Sequence, residues 1–435
     1  MKKVLAIVLC VAMVAALCVS LVACNPTDDE GLNEITMPAY EGLITPDYSS
    51  LVIPADFKVG LICLHDKNST YDKNFIEAME DAQATLGLSD EQVVIVTGIP
   101  EDNTCYEKAK ELAQNGCDII FANSFGHEQF ILRAAQEFPN VQFCHATGTG
   151  ASLSLDADTA NDTPANFHNA FASIYEGRYL AGVAAGLKLK ELYADANGNV
   201  SSENAKIGYV GAYTYAEVVS GYTSFYLGVK SIVSNVTMEV QFTGSWYDET
   251  AENNAAKALI NRGAKLISQH ADSMGAPNAC EEANIPNVSY NGSTLAACPN
   301  TFIISSRINW TPYYLYAIAQ KVNGQAVAKD WTGTLATGSV VLTNIGGTAA
   351  AAGTAEKLVE VRSKIVSGDV KVFDTATFTV GGEAKTSYLA DVDDFGDYQG
   401  ETEVIENGAF AESKYRSAPY FDLQIDGITL LNSKY

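Results

Sequence analysis

The sequence predicts an α/β protein built from two doubly wound parallel-sheet lobes joined by a hinge. Three observations carry that expectation. From Lys58 onward, short apolar runs alternate with amphipathic stretches. The alternation restarts after about Ser173. The expected strands end in polar and aromatic clusters. Apolar strands separated by helices imply parallel βαβ units, with helices on both faces of the sheet. A length of 435 residues leaves room for two cores, at roughly 100–200 residues per domain.

In the first lobe, VGLICLH (Val59–His65) reads as a strand and NFIEAMEDAQATLG (Asn74–Gly87) as a helix stopped by Gly87. QVVIVTG follows as a strand, and TCYEKAKELAQNG (Thr104–Gly116) as a helix closed by Gly116. CDIIFANS is the next strand, EQFILRAAQEF a helix ending before Pro139, and VQFCHATG a further strand. The second lobe opens with the helix IYEGRYLAGVAAGLKLK (Ile174–Lys190). KIGYVGAY, AEVVSGYTSFYLGVKSIV, TMEVQFTGSW, ETAENNAAKALINRG, AKLISQHAD and PNVSYNG then continue the strand–helix alternation.

The chain is expected to cross between lobes near Asn166–Ser173, to return near Ser305–Asn309, and to cross again after Trp331. The first lobe is then 58–170 with 305–331, and the second 171–304 with 332–345. Lys371–Tyr435 is acidic and strand-like in KVFDTATFTV and YFDLQIDGITLL. Residues 346–435 therefore read as a C-terminal helix and strand extension.

At the other end, Lys2 and Lys3 precede an apolar stretch from Val4 to about Val22 that ends in LVAC (Leu21–Cys24). This resembles a bacterial lipobox, in which residues 1–23 are a removed signal peptide and Cys24 takes the lipid. Residues 24–57 begin polar, acidic and aperiodic, and read as a tether. Such an arrangement holds a soluble body on the extracytoplasmic face of the cell membrane.

Composition narrows the function. The chain carries 52 Asp+Glu against 27 Lys+Arg, a net charge of −25. Phosphate binding needs clustered basic residues, so nucleic acid is not an expected partner. An uncharged nucleobase or nucleoside is not excluded. Apolar residues at 47% and charged residues at 18% exclude a disordered tail, a collagen and a polytopic membrane protein. None of the nine cysteines forms a CxxC pair, and Cys63, Cys117 and Cys144 lie by apolar runs, as buried thiols do.

Open α/β sheets bind ligands beyond the carboxyl ends of their strands, and two facing lobes make a closable cleft. In the first lobe those ends carry His65–Tyr71, Ser124–His127, His145–Gly148 and Phe167–Asn169. In the second they carry Tyr213–Glu217, Trp246–Asp248, Gln269–Asp272 and Tyr290–Gly292. The candidate ligand contacts of the first lobe are Asp66, Asn68, Tyr71, Phe125, His127, His145 and Asn169. Those of the second are Tyr213, Glu217, Trp246, Asp248, His270 and Asp272, with Trp310 beyond the return crossing. Aromatic faces stack on a ring, while Asp, Asn and neutral His place donors and acceptors round its edge. The set suits a flat, polar heteroaromatic ligand.

Blander roles compete for single residues. A strand-end Asp is more often a helix N-cap, an alternative open for Asp66 and Asp248. Zinc takes His and carboxylate ligands. No HxH or HxxxH pair supports it, however, and HEQFI at His127 is not HExxH, so neither metal nor cofactor is expected. GxSxG, a P-loop and GxGxxG after a strand are missing, so catalysis is not expected. Asp393-Asp394 reads as a solvated charge run.

The stretches IYEGRYLAGVAAG, IGYVGAYTYAEVVSGYTSFYLG, SWYDETAENNAAKALINRGAKLISQHADS and INWTPYY resemble the basic membrane protein family of substrate-binding lipoproteins, which includes bacterial purine-nucleoside receptors. The likeness covers roughly Lys58 to Ile345. It implies a type I periplasmic-binding-protein fold whose lobes close over a purine nucleoside or purine base. It also implies a monomer without enzyme activity that presents the ligand to the permease and ATPase of an ABC importer. A sensor or scaffold lipoprotein of the same fold and an extracellular nucleoside-acting enzyme are the alternatives. By the resemblance, Asp66 matches the Asp after the first strand, Phe125 a base-stacking aromatic, and Trp246 and Asp248 the second-lobe aromatic and Asp. Ser69 and Thr70 replace the family's Phe-Asn, Gly221 stands where a second stacking aromatic is expected, and Asn291 replaces an Asp. SRINW lacks the ribose-engaging Lys after Ser305, so a free base or related heterocycle is implied beside a nucleoside. Trp246, Tyr213 or Trp310 supplies the replacement stacking face.

Overall fold

The computed structural model describes residues 32–151, 163–392 and 402–433. The leader, Cys24 and Asp393-Asp394 lie outside the described residues. No helix among the described residues is long and apolar enough to cross a membrane.

VGLI (Val59–Ile62) is buried along its whole length, as a strand covered on both faces must be. It pairs in parallel with Val93–Val96 on one side and Ile119–Ala122 on the other. Gln142–Ala146, Phe167–Ala172 and Asp330–Gly333 extend this first sheet, all parallel. The second sheet runs Val340–Leu342, Phe302–Ile308, Asn287–Tyr290, Ile267–His270, Lys206–Gly211, Thr237–Phe242 and Ile428–Leu430. Only the Val340–Leu342 pairing in it is antiparallel.

The chain passes between the sheets after Phe167–Ala172, after Phe302–Ile308 and between Asp330–Gly333 and Val340–Leu342. Phe302–Ile308 belongs wholly to the second sheet, so that passage falls at 309–311. The first helix spans Thr70–Leu86, starting four residues before the expected Asn74. Ser69 causes the early start: its side chain accepts from the backbone N–H of Asp72. At the far end Gly87 takes φ 66°, a left-handed cap that an L side chain resists.

Two expectations change. Residues 33–57 do not hang free. Glu34–Ile35 pairs antiparallel with Ile345–Gly346, and Arg362 donates to the carbonyls of Pro38 and Ala39. Backbone pairing needs no apolar side chain, so composition alone could not reveal it. KVFDTATFTV is not a strand among the described residues, and of YFDLQIDGITLL only Ile428–Leu430 is one. The aromatic residues there join the main hydrophobic core instead, with Phe373 stacked on Phe421 at 4.2 Å. The six described cysteines, Cys63, Cys117 and Cys144 among them, are buried and unpaired.

The Ile174–Tyr193 helix carries the second lobe's core. Its Gly182 faces Gly228 of the Ala216–Lys230 helix so closely that an added Cβ on Gly228 would lie 2.1 Å from the Tyr179 carbonyl oxygen. Its Arg178, fully buried, donates to Tyr209 Oη at 2.8 Å, Ser268 Oγ at 3.0 Å and the carbonyls of Gln269 and Ser289. These bonds brace three strands of the sheet from behind. Gly228→Ala should overpack the helix crossing and cost about 1–3 kcal/mol. A thermal melt unchanged by the substitution would contradict the close approach.

Candidate functional site

The carboxyl ends of the two sheets meet, and hydrogen bonds cross between them. Thr70 gives its N–H and hydroxyl to the Asp272 carbonyl at 3.2 and 3.1 Å. Asn74 donates to the Asn291 carbonyl at 2.8 Å and receives Arg307 Nη1 at 3.1 Å. The lobes are therefore closed. Between them lies the interlobe slot, a hollow of about 390 Å³ lined from both lobes.

On the first-lobe side, the Ser69 cap turns Tyr71 and Asp72 into the slot. Asp72 is 1% exposed. Its Oδ1 accepts from the His65 N–H at 3.0 Å and from Asn123 Nδ2 at 2.7 Å. Burial alone would raise its pKa, but bonds from His65, Asn123 and Ser69 win and hold the carboxyl below the usual range. His65, bonded to Asp72 in turn, is raised. Tyr71 Oη donates to the Asn123 carbonyl at 2.6 Å.

Asp272 is buried on the second-lobe side and accepts from Asn291 Nδ2 at 3.2 Å. Burial, with Asp72 and Glu252 close by, pushes its pKa well above the carboxylate range. One slot thus holds two acids whose pKa values are moved in opposite directions. His270 Nε2 lies 3.4 Å from Glu217 Oε1, and burial lowers this imidazole's pKa against the pull of that carboxylate. The His270 ring packs on Tyr290 at 4.5 Å. Gly221 makes space for it, since a Cβ there would sit 2.8 Å from His270 Nδ1. His270 thus occupies the space opposite the helix where a stacking aromatic was expected.

Tyr71, Phe125, Glu217, Trp246, His270 and Asp272 come together from the sequence-derived candidates. Tyr213 supports this group from behind, edge-on to Trp246 at 5.0 Å. The remaining candidates do not line the slot. Asp66 and Asn68 are exposed, with the Asp66 carboxylate accepting from the Asn68 N–H. Asp248 caps the Glu249–Asn261 helix through the Ala251 N–H. His127 and His145 are buried against the carbonyls of Ile99 and Ser124. Asn169 donates to Glu128 Oε1 at 3.0 Å inside the first lobe. Trp310, 2% exposed, stacks on Phe75 at 4.5 Å. These residues follow strands, but apolar neighbours or helix ends claim them.

Asp72 was missed as a candidate. Its signal was present in Ser69-Thr70-Tyr71-Asp72, a capping pattern that starts a helix and aims its first turn at the strand end. Among the described residues no three His, Cys, Asp or Glu side chains group to hold a metal ion.

Glu252, beneath Asp272, is raised to about 7 by burial. Between its ordinary value and about 7 the folded chain binds a proton that the unfolded chain has released, so this group's contribution to stability falls as pH rises through that window. Glu252→Gln should gain stability relative to the parent from pH 5 to about 7.5, in melts at stepped pH. Parallel profiles for the two would remove the argument.

Residues 60–375 match the family described as ABC transporter substrate-binding protein PnrA-like. A purine-binding protein of Brucella abortus is 30% identical over 262 residues, 60% of this chain and 64% of the relative. A Haloferax volcanii protein, provisionally named as an ABC transporter glucose-binding protein, is 30% identical over 233 residues, 54% of this chain and 53% of that one. The chain thus spans less than two thirds of either relative's length. In structure it resembles an ABC transporter system solute-binding protein from Conexibacter woesei, with TM-score 0.54, 23% identity and coverage of 72% of this chain and 98% of that one. That likeness concerns the fold, the type I periplasmic-binding-protein arrangement of two lobes. With more than half its length matched, the chain belongs to the Bmp family of ABC transporter substrate-binding proteins, which are solute binders and not enzymes.

Proposed function

We propose that this chain captures a neutral purine, as base or nucleoside, between its lobes and hands it to the permease and ATPase of an ABC importer. The observation that carries the reading is a pair of acids in the slot whose pKa values are moved in opposite directions. Asp72, held below the usual range, is suited to accept from a ring N–H, and Asp272, pushed upward, to donate to a ring nitrogen or carbonyl. A purine edge offers both kinds of group, and Phe125, Trp246 and His270 offer faces for its plane. The family and the purine-binding Brucella relative support the same ligand class. Binding, closure and release suffice, and no bond is made or broken. The lipobox-like LVAC supports lipid attachment at Cys24 and a place on the extracytoplasmic membrane face.

Titration with adenine, guanine, adenosine, guanosine and, for the Haloferax likeness, glucose tests the ligand. A purine should raise the melting temperature and glucose should not. Trp246→Ala should weaken purine binding about tenfold, from lost stacking and lost apolar contact. Asp272→Asn, which keeps a neutral donor, should bind better than Asp272→Ala. No response to any of the four purines, or a response to glucose alone, defeats the assignment.

A further inference from the structure

A second hollow, of about 1070 Å³, lies where the chain passes between the sheets, and it shares no lining residue with the slot. The N-terminal segment forms one wall, from Met37 to Tyr48. The passages between the sheets add Asn309 and Leu335. The first lobe gives Leu315, from the helix Thr311–Val322 that packs on Thr70–Leu86. The second lobe gives the strand Val340–Leu342 and, from the helix Thr354–Ser367, Arg362.

The N-terminal wall is fastened by its backbone. Met37 gives its N–H to Asn344 Oδ1 and Ile44 its N–H to the Ala336 carbonyl, both at 3.1 Å. Its side chains are left to face the hollow and the solvent, and Ile44 is 67% exposed. Most of the lining is apolar. The polar side chains at the passages are already engaged. Asn309 Nδ2 donates to the Gly338 carbonyl at 3.2 Å, and Thr337 Oγ1 to the Thr334 carbonyl at 3.1 Å.

Arg362 is the exception. It is 8% exposed. Its Nη1 and Nη2 donate to the carbonyls of Pro38 and Ala39 at 2.9 and 3.0 Å. These partners are neutral, and Nε has none among the described residues. The Tyr40 ring lies 5.5 Å from the guanidinium carbon, where it attracts the charge without neutralising it. Burial lowers the pKa of this side chain, with only Tyr40 acting the other way. A buried charge is costly unless an opposite charge compensates it. The Nε edge of a guanidinium matches the planar carboxylate.

We propose that the hollow at the hinge is a second binding site, for a small apolar carboxylic acid whose carboxylate pairs with Arg362 and whose hydrocarbon body lies against Leu315, Leu335 and the N-terminal segment. The apolar walls select the body, and the uncompensated cation selects the head. The site is separate from the slot and does not depend on what the slot binds.

Calorimetric titration of the full chain at pH 7 with octanoate, and with 1-octanol as the uncharged counterpart, tests it. Octanoate should bind at one site, raise the melting temperature and bind about tenfold more tightly than 1-octanol. Arg362→Gln should remove that tenfold preference. Trp246→Ala, which alters the slot alone, should leave octanoate binding unchanged. A parent that does not bind octanoate, or binds 1-octanol as tightly, overturns the proposal. So does octanoate binding that Arg362→Gln leaves intact or that Trp246→Ala abolishes. Should Arg362→Gln fail to fold, as a thermal melt would reveal, the exposed Ile44 decides instead. Ile44→Asp should then weaken octanoate and Ile44→Lys strengthen it, each severalfold, and equal affinity in the two variants overturns the proposal.

Discussion

Closure of the two strand-end surfaces on each other is the constraint from which the rest of the site follows. Thr70 bonded to the Asp272 carbonyl, and Asn74 to that of Asn291, bring polar strand ends together, where Asp72 and Asp272 are buried. In such surroundings each charge keeps its ionised form only if bonds compensate its lost hydration. Asp72 has those bonds and its pKa falls, while Asp272 lies buried near other acids and its pKa rises. The contrast between two chemically identical side chains is thus a product of the fold.

The scaffold behind this surface is stiff for definable reasons. Arg178 holds the ends of adjacent second-lobe strands through four acceptors, and the Gly182–Gly228 contact lets two helices lie backbone to backbone. The N-terminal and C-terminal segments add contacts that the two lobes alone would lack. One pairs with Ile345–Gly346, and the other reaches from the second sheet to Asp330 of the first. Polar bonds fix both, and the C-terminal segment also buries Phe410, Phe421, Leu423 and Ile425 in the core.

Legibility in the sequence followed the kind of force involved. Buried parallel strands announce themselves as apolar runs, so VGLI, Ile119–Ala122 and Ile267–His270 stood where the pattern put them. Tyr71, Phe125, Glu217, Trp246, His270 and Asp272 could be named as candidates because a strand's carboxyl end is a place that a pattern can name, and all six line the slot. His127, His145 and Trp310 satisfied the same rule and turned inward, because side-chain direction depends on which neighbour offers a carbonyl or a ring. Asp72 was hidden by a helix start set four residues late, an error of one turn that a capping Ser corrects.

The amino-acid order by itself determined the two α/β lobes, the strand ends where polar and aromatic groups collect, and the family likeness, because local periodicity and residue chemistry are written along the chain. Only the tertiary structure decided how the pKa values of the two acids diverge, which histidines line the slot, and that the C-terminal segment walls a neighbouring chamber. Those properties depend on contacts between residues far apart in the chain, as Ser417 meeting Asp330 and Asn74 meeting Asn291 show. Burial and neighbouring charge act through space, and no local pattern records them.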